Sequence, residues 1–217
     1  MSSFTAHLPV RIAFGDGAIH ELPRVAEGLG ATSALVVVEE PVAEHLDVAG
    51  ALVTAEAAGL RLDRYVKGPG EPTFGLADEL AARVRDASHD LVVGIGGGSA
   101  LDVAKAARLV ADQGGSALDF AGGTRTPAPP TLPLVLCPTT AGTGSEVSGA
   151  SVLTDTERDR KVGFGHPNMR AQHALVDPVL THGLPSAPTA HSGIDALAQA
   201  IGGCTVRNSS PLSIAFG

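Results

Sequence analysis

The chain has 217 residues, 44% of them hydrophobic and only 3% aromatic, with a formal net charge of −8. That length holds one large domain, or one domain and part of another, around an aliphatic core. The acidic balance without a basic stripe excludes a nucleic-acid surface, and no apolar stretch reaches membrane-spanning length.

In chain order, short β-type runs alternate with longer helical ones. Strands are expected at Val10–Phe14, Ala34–Val38, Arg61–Val66, Asp90–Val93 and Leu132–Leu136, with helices near Ala18–Leu29, Val42–Ala58, Leu76–Ala87 and Ser99–Ala111. In the last of these, Leu101, Ala104, Ala107 and Val110 recur every third residue, placing an apolar stripe against a sheet. The alternation predicts an α/β fold: a Rossmann-like, mainly parallel sheet with helices on both faces. Cys137 ends the run Leu134-Val135-Leu136 and reads as a buried small hydrophobe; with Cys204 it makes no disulfide framework. Without a charged-then-apolar leader, a cytoplasmic location is expected. Beyond residue 145, strands are expected at Val147–Leu153 and Lys161–Phe164 around a solvated turn, Asp155–Arg160. A Pro-containing loop stretch follows, then a helix through Ala190–Ile201 and the start of another at Ser210-Pro211. The expected division is an α/β domain over 1–185 and the beginning of a truncated helical domain over 186–217.

Three features carry chemistry. The run Gly94-Ile95-Gly96-Gly97-Gly98-Ser99 joins an apolar strand to a helix. Glycines admit a ligand close to the backbone, and the free N–H groups at a helix start favour a diphosphate. It is neither the Rossmann fingerprint, since Ser99 stands where the third glycine belongs, nor a P-loop, since no Gly-Lys-Ser/Thr follows. A plain tight turn is the competing reading. The second feature, Pro138-Thr139-Thr140-Ala141-Gly142-Thr143-Gly144-Ser145-Glu146, also follows a strand and offers several hydroxyls to a diphosphate, ribose or carboxamide. The third is Glu39, at a strand end, where a carboxylate accepts ribose hydroxyls and repels a 2′-phosphate. That favours NAD over NADP, with a solvated surface glutamate as the alternative. His20, His45 and His89 are expected at solvent-facing positions or helix ends, and His166, His173, His182 and His191 as surface or hydrogen-bonded residues.

Taken together, GGGSALDVAKAA, PTTAGTGSEV, the Lys161 strand, Asp177-Pro178 through Leu184-Pro185, and Gly193-Ile194-Asp195-Ala196-Leu197 resemble the iron-containing (group III) alcohol dehydrogenases. Maleylacetate and lactaldehyde reductases belong to that family. Phe14-Gly15-Asp16-Gly17 looks like its first hairpin. The resemblance implies an NAD(P)-binding α/β domain followed by a helical domain carrying metal and substrate. By position it puts Gly97, Gly98 and Ser99 on the diphosphate with Asp102 nearby, and Thr139, Thr140 and Thr143 along the cofactor. Lys161 then reaches the ribose region and Glu39 takes the place of the acidic discriminator. Asp195 matches the first metal ligand, but Gln199 stands where the family has its second, a histidine, so a bound Fe2+ or Zn2+ is in doubt.

The expected activity is a nicotinamide-dependent oxidoreductase interconverting an alcohol and an aldehyde or ketone, a small-molecule substrate, acting as a homodimer. Its catalytic residues are not assigned. The alternatives are a metal-independent maleylacetate-reductase-like enzyme, a dehydroquinate-synthase-like cyclase, and a non-catalytic NAD-binding protein.

Overall fold

Short runs of Val, Leu and Ala flanked by turns become strands buried on both faces, the pattern that parallel sheets require. A computed structural model describes residues 4, 7–207 and 209–216. Six strands form one parallel sheet: β1 (Arg11–Phe14), β2 (Ser33–Glu39), β3 (Arg61–Lys67), β4 (Leu91–Gly96), β5 (Leu134–Pro138) and β8 (His173–Val176), in the order β1-β8-β5-β4-β2-β3. Between β5 and β8 lies an antiparallel hairpin of β6 (Ala150–Asp155) and β7 (Arg160–Gly165). The helices are α1 (Leu22–Gly28), α2 (Glu40–Ala43), α3 (Leu46–Ala57), α4 (Phe74–Asp86), α5 (Gly98–Gln113), α6 (Ala117–Ala121), α7 (Ser186–Thr205) and α8 (Pro211–Phe216).

Successive strand residues point to opposite faces and build two cores. Leu35, Val37, Val92, Leu134 and Leu136 pack with α4, α5 and α6. Val36, Val38, Val93, Ile95, Val135 and Leu175 pack with α1 and α3 on the other face. The chain leaves β2 towards α3 on one face and leaves the adjacent β4 towards α5 on the other. A crevice therefore opens at the C-terminal ends of β2 and β4, the place where open α/β sheets bind ligands. Glu39 ends the first of these strands and Gly96 the second.

Several elements differ from the sequence expectation. The helix over 18–29 splits into a 3-10 turn, Ala18–Glu21, and α1, with Pro23 in the first turn of α1. The helix over 42–58 likewise divides into α2 and α3, with His45 capping α3 through its side chain. No hairpin follows Phe14: β1 runs parallel to β8 and turns into the 3-10 segment through Gly15 and Gly17, both at positive φ. The strand β8 arises in a stretch expected to be loop and joins β1 to β5, and the short helix α6 arises where no element was expected. Among the described residues, no helix is long and apolar enough to cross a membrane.

Candidate functional site

The glycine run falls at the end of β4, and α5 begins at Gly98 with Gly97 as its cap, one residue before the expected start at Ser99. Space as well as flexibility explains the glycines. A Cβ on Gly94 would lie 2.7 Å from Leu136 Cδ2, and one on Gly98 would lie 2.8 Å from Thr143 Cγ2. A Cβ on Gly97 would meet both Glu39 Oε2 and Thr140 Cγ2 at 3.3 Å. The turn thus brings Glu39, Thr140 and Thr143 against the start of α5. Glu39 Oε2 accepts the Gly97 N–H at 2.8 Å, so the carboxylate is fixed at the mouth of the turn. Beyond it the Ala100 and Leu101 amides both donate to Gly97 O at 3.1 Å, which leaves the Gly98 and Ser99 amides of the first turn of α5 free to meet an anion.

Beside this helix start lies a cavity of about 560 Å3 lined by Gly98, Ser99, Asp102, Thr143, Lys161, Asp195 and Gln199. Seven residues singled out from sequence therefore share one cavity, although they come from four separate stretches of chain. Ser99 Oγ is buried there without a hydrogen-bond partner. A polar group in that state is satisfied by a water or a ligand. Ser145 of the hydroxyl-rich run lines it too, and so do Glu71, Ser148 and Val152, which were not singled out; only their place in the fold brings those three there. Lys161 pairs with Glu71 at 2.8 Å, both well exposed.

A second cavity, about 460 Å3, is lined on the other side of the threonine loop by Thr140, Gly142, Glu146, Asp177, Thr181 and Ala196. Thr139 is buried beneath the loop, its N–H donating to Gly96 O at 3.0 Å, and lines neither cavity. Asp102 is fully engaged by protein. Its Oδ1 accepts from Ser145 Oγ at 2.6 Å and pairs with Lys105 Nζ at 3.0 Å, and its Oδ2 accepts from Val152 N at 2.8 Å.

The cavity fits a dinucleotide better than a metal. Gly98, Ser99 and Thr143 present backbone donors and hydroxyls along one wall, and the orphaned Ser99 hydroxyl is among them. Asp195 and Gln199 lie one helical turn apart on α7, giving a single carboxylate and a neutral amide. Among the described residues no group of three His, Cys, Asp or Glu side chains is placed to hold a metal ion. Iron or zinc needs three or four such ligands, so these residues alone do not make a metal site.

His89 is not solvent-facing. It is buried, with Nδ1 2.6 Å from Ser33 Oγ and Nε2 3.2 Å from Asp63 Oδ2. This Ser-His-Asp arrangement lies at the start of β2, the end of the sheet away from the cavity, and its serine is 3% exposed. It joins strands and reaches no substrate.

A parallel sheet with a glycine turn at its switch point and a hydroxyl-rich loop at the next strand end defines a nucleotide-binding type of α/β protein. The family model for iron-containing alcohol dehydrogenase matches residues 9–178, and the chain belongs to that family. It is 38% identical over 202 residues to long-chain-alcohol dehydrogenase 1 of Geobacillus thermodenitrificans, covering 92% of this chain and 50% of that protein. Over 201 residues it is 34% identical to the sulfoacetaldehyde reductase of Bilophila wadsworthia, covering 92% of this chain and 51% of that protein. The crystal structure of sulfoacetaldehyde reductase from Bifidobacterium kashiwanohense in complex with NAD+ superimposes with a TM-score of 0.86 at 32% identity, covering 94% of this chain and 54% of that one. The chain spans about half the length of the curated relatives it matches.

Proposed function

We propose that this chain supplies the nicotinamide-dinucleotide half of an oxidoreductase that interconverts an alcohol and an aldehyde or ketone, with NAD preferred over NADP. The observation that carries this reading is the convergence of Gly98, Ser99, Thr143 and Lys161 on one cavity at the switch point of the sheet. The start of α5 and the Ser99 hydroxyl bind the diphosphate, and Thr143 closes over it from the neighbouring loop, while Thr140 packs beside Gly97. Glu39 spends one carboxylate oxygen on the Gly97 amide and keeps the other for ribose hydroxyls. Its charge disfavours a 2′-phosphate. Lys161, steered by Glu71, covers the ribose side. The bound nicotinamide supplies the hydride chemistry. The protein's contribution is to hold it in place and keep water from the reacting face.

Residues 1–185 form the cofactor domain and 186–217 begin a second, helical one. The division is supported by α7, which has no buried residue. The same reading includes a cytoplasmic protein acting as a homodimer. Two free cysteines fit a reducing compartment, and β1 is an edge strand with Ile12 and Phe14 largely exposed. The test has two readings. NADH fluorescence should titrate to saturation with the protein, more tightly than NADPH. NADH absorbance should then fall when a panel of small aldehydes is added to the enzyme. Failure to bind either dinucleotide overturns the reading; binding without turnover reduces it to a nucleotide-binding protein.

A further inference from the structure

Lys105 is a charged side chain in the interior that no step above uses. It is fully buried on α5, one turn beyond Asp102. Burying an ammonium is unfavourable unless the charge is matched and its three donors are satisfied. Here the match is complete. Nζ pairs with Asp102 Oδ1 at 3.0 Å and donates to Ser145 O at 3.0 Å, to Ser148 Oγ at 3.4 Å and to Ala150 O.

Asp102 takes hold of the same stretch from one turn away. It accepts from Ser145 Oγ and Val152 N, and its main-chain oxygen accepts from Ser151 Oγ at 3.0 Å. Every group so held belongs to residues 145–152, the connection from β5 into β6. Four of them, Ser145, Ser148, Ala150 and Val152, line the cavity, and Lys105 does not. Arg108, three residues further along α5, is equally buried but reaches Asn168 O and Arg170 O instead. Two buried cations on one helix therefore anchor different segments, and only one of those segments is a wall of the cavity.

We infer that Lys105 is a positioning residue: with Asp102 it clamps residues 145–152 onto α5 and so sets one wall of the dinucleotide cavity without touching the ligand. The inference rests on the reading of that cavity as the dinucleotide site. Amide hydrogen exchange on the ligand-free protein, together with NADH titration, tests it on the parent, Lys105→Met, Arg108→Met and Ser151→Ala. Lys105→Met should speed exchange within 145–152 about tenfold, leave the amides of β2 and β4 unchanged, and raise the NADH dissociation constant about tenfold. Arg108→Met should lower thermal stability and do neither. Ser151→Ala removes one neutral bond of the clamp and should give about a threefold effect in the same direction, so the test stands even if Lys105→Met does not fold. Acceleration spread evenly over the sheet, or a Lys105→Met or Ser151→Ala protein with the parent's NADH affinity, overturns the inference. Absence of NADH binding by the parent counts against the cavity assignment, while the exchange pattern still decides the clamp.

Discussion

Gly96 is the tightest point of the glycine turn. Its φ is +151°, and a Cβ built there would lie 2.7 Å from Glu39 Cβ and 2.8 Å from Ala100 Cβ. Neither neighbour has a torsion that moves its own Cβ aside, so the backbone must give. Gly96→Ala is expected to cost about 2–3 kcal/mol, read from denaturant unfolding; an unchanged midpoint would refute the packing account. The two thiols should behave differently as well. Burial pushes the Cys137 thiol up to about 12, so it stays protonated and unreactive, whereas Cys204 is half-exposed on α7. In native protein a thiol reagent at mildly alkaline pH should label Cys204 and leave Cys137 until unfolding. At this scale much was legible in sequence. Gly98, Thr143 and Glu39 could be picked out because they stand at strand ends, and the fold does bring them together at the start of α5. The roles of Lys105 and His89 were hidden, since a cation or imidazole at a helix position or end reads as solvated until its neighbours are known.

The seam between β3 and α4 shows what a pair of elements can do that single residues cannot. Asp63 on β3 accepts from Arg83 on α4 at 2.6 Å, and His89 joins from the turn before β4. The hydrogen bond from Arg83 holds the Asp63 carboxyl below its usual range, against a smaller opposing effect of burial. A carboxyl whose pKa is lowered by folding adds stability above about pH 4, and that contribution is lost as pH falls through the lower folded value. Asp63→Asn should therefore be less stable near neutrality, and its stability should fall less between about pH 6 and pH 3 than the parent's. Equal acid slopes for the two proteins would remove Asp63 from the account. Element boundaries were the least legible part of the sequence. Pro23 divides one expected helix, and the four-residue run His173–Val176 lacks alternation and lies among prolines. Its identity as a strand depends on β1 and β5 lying on either side of it.

Over the whole molecule, stability is concentrated in the two cores flanking the sheet, while the α7 region contributes little. Leu101 on α5 is fully buried, whereas Leu197 on α7 is 60% exposed. Leu101→Ala should cost about 3 kcal/mol, and Leu197→Ser should change unfolding by less than about 0.5 kcal/mol. Comparable losses in the two variants, measured by thermal unfolding, would mean that α7 is packed more firmly than its exposure indicates. The α/β class and the cleft position were legible because alternation of strand and helix leaves few topologies. The sheet order was not, because nothing in Arg11–Phe14 names its neighbour. That neighbour is β8, with Arg11 opposite His173 in the register. During synthesis β1 therefore leaves the ribosome long before β8, the strand it pairs with. The four strands β2 to β5 can assemble from contacts among residues 33–138, but β1 must wait, its backbone unpaired, until residues 173–176 have been made. Closing so distant a contact is slow and leaves an exposed edge in the meantime. A ribosome stalled just before His173 should thus carry a chain in which β2 to β5 are protected from protease while Arg11–Phe14 is still cut.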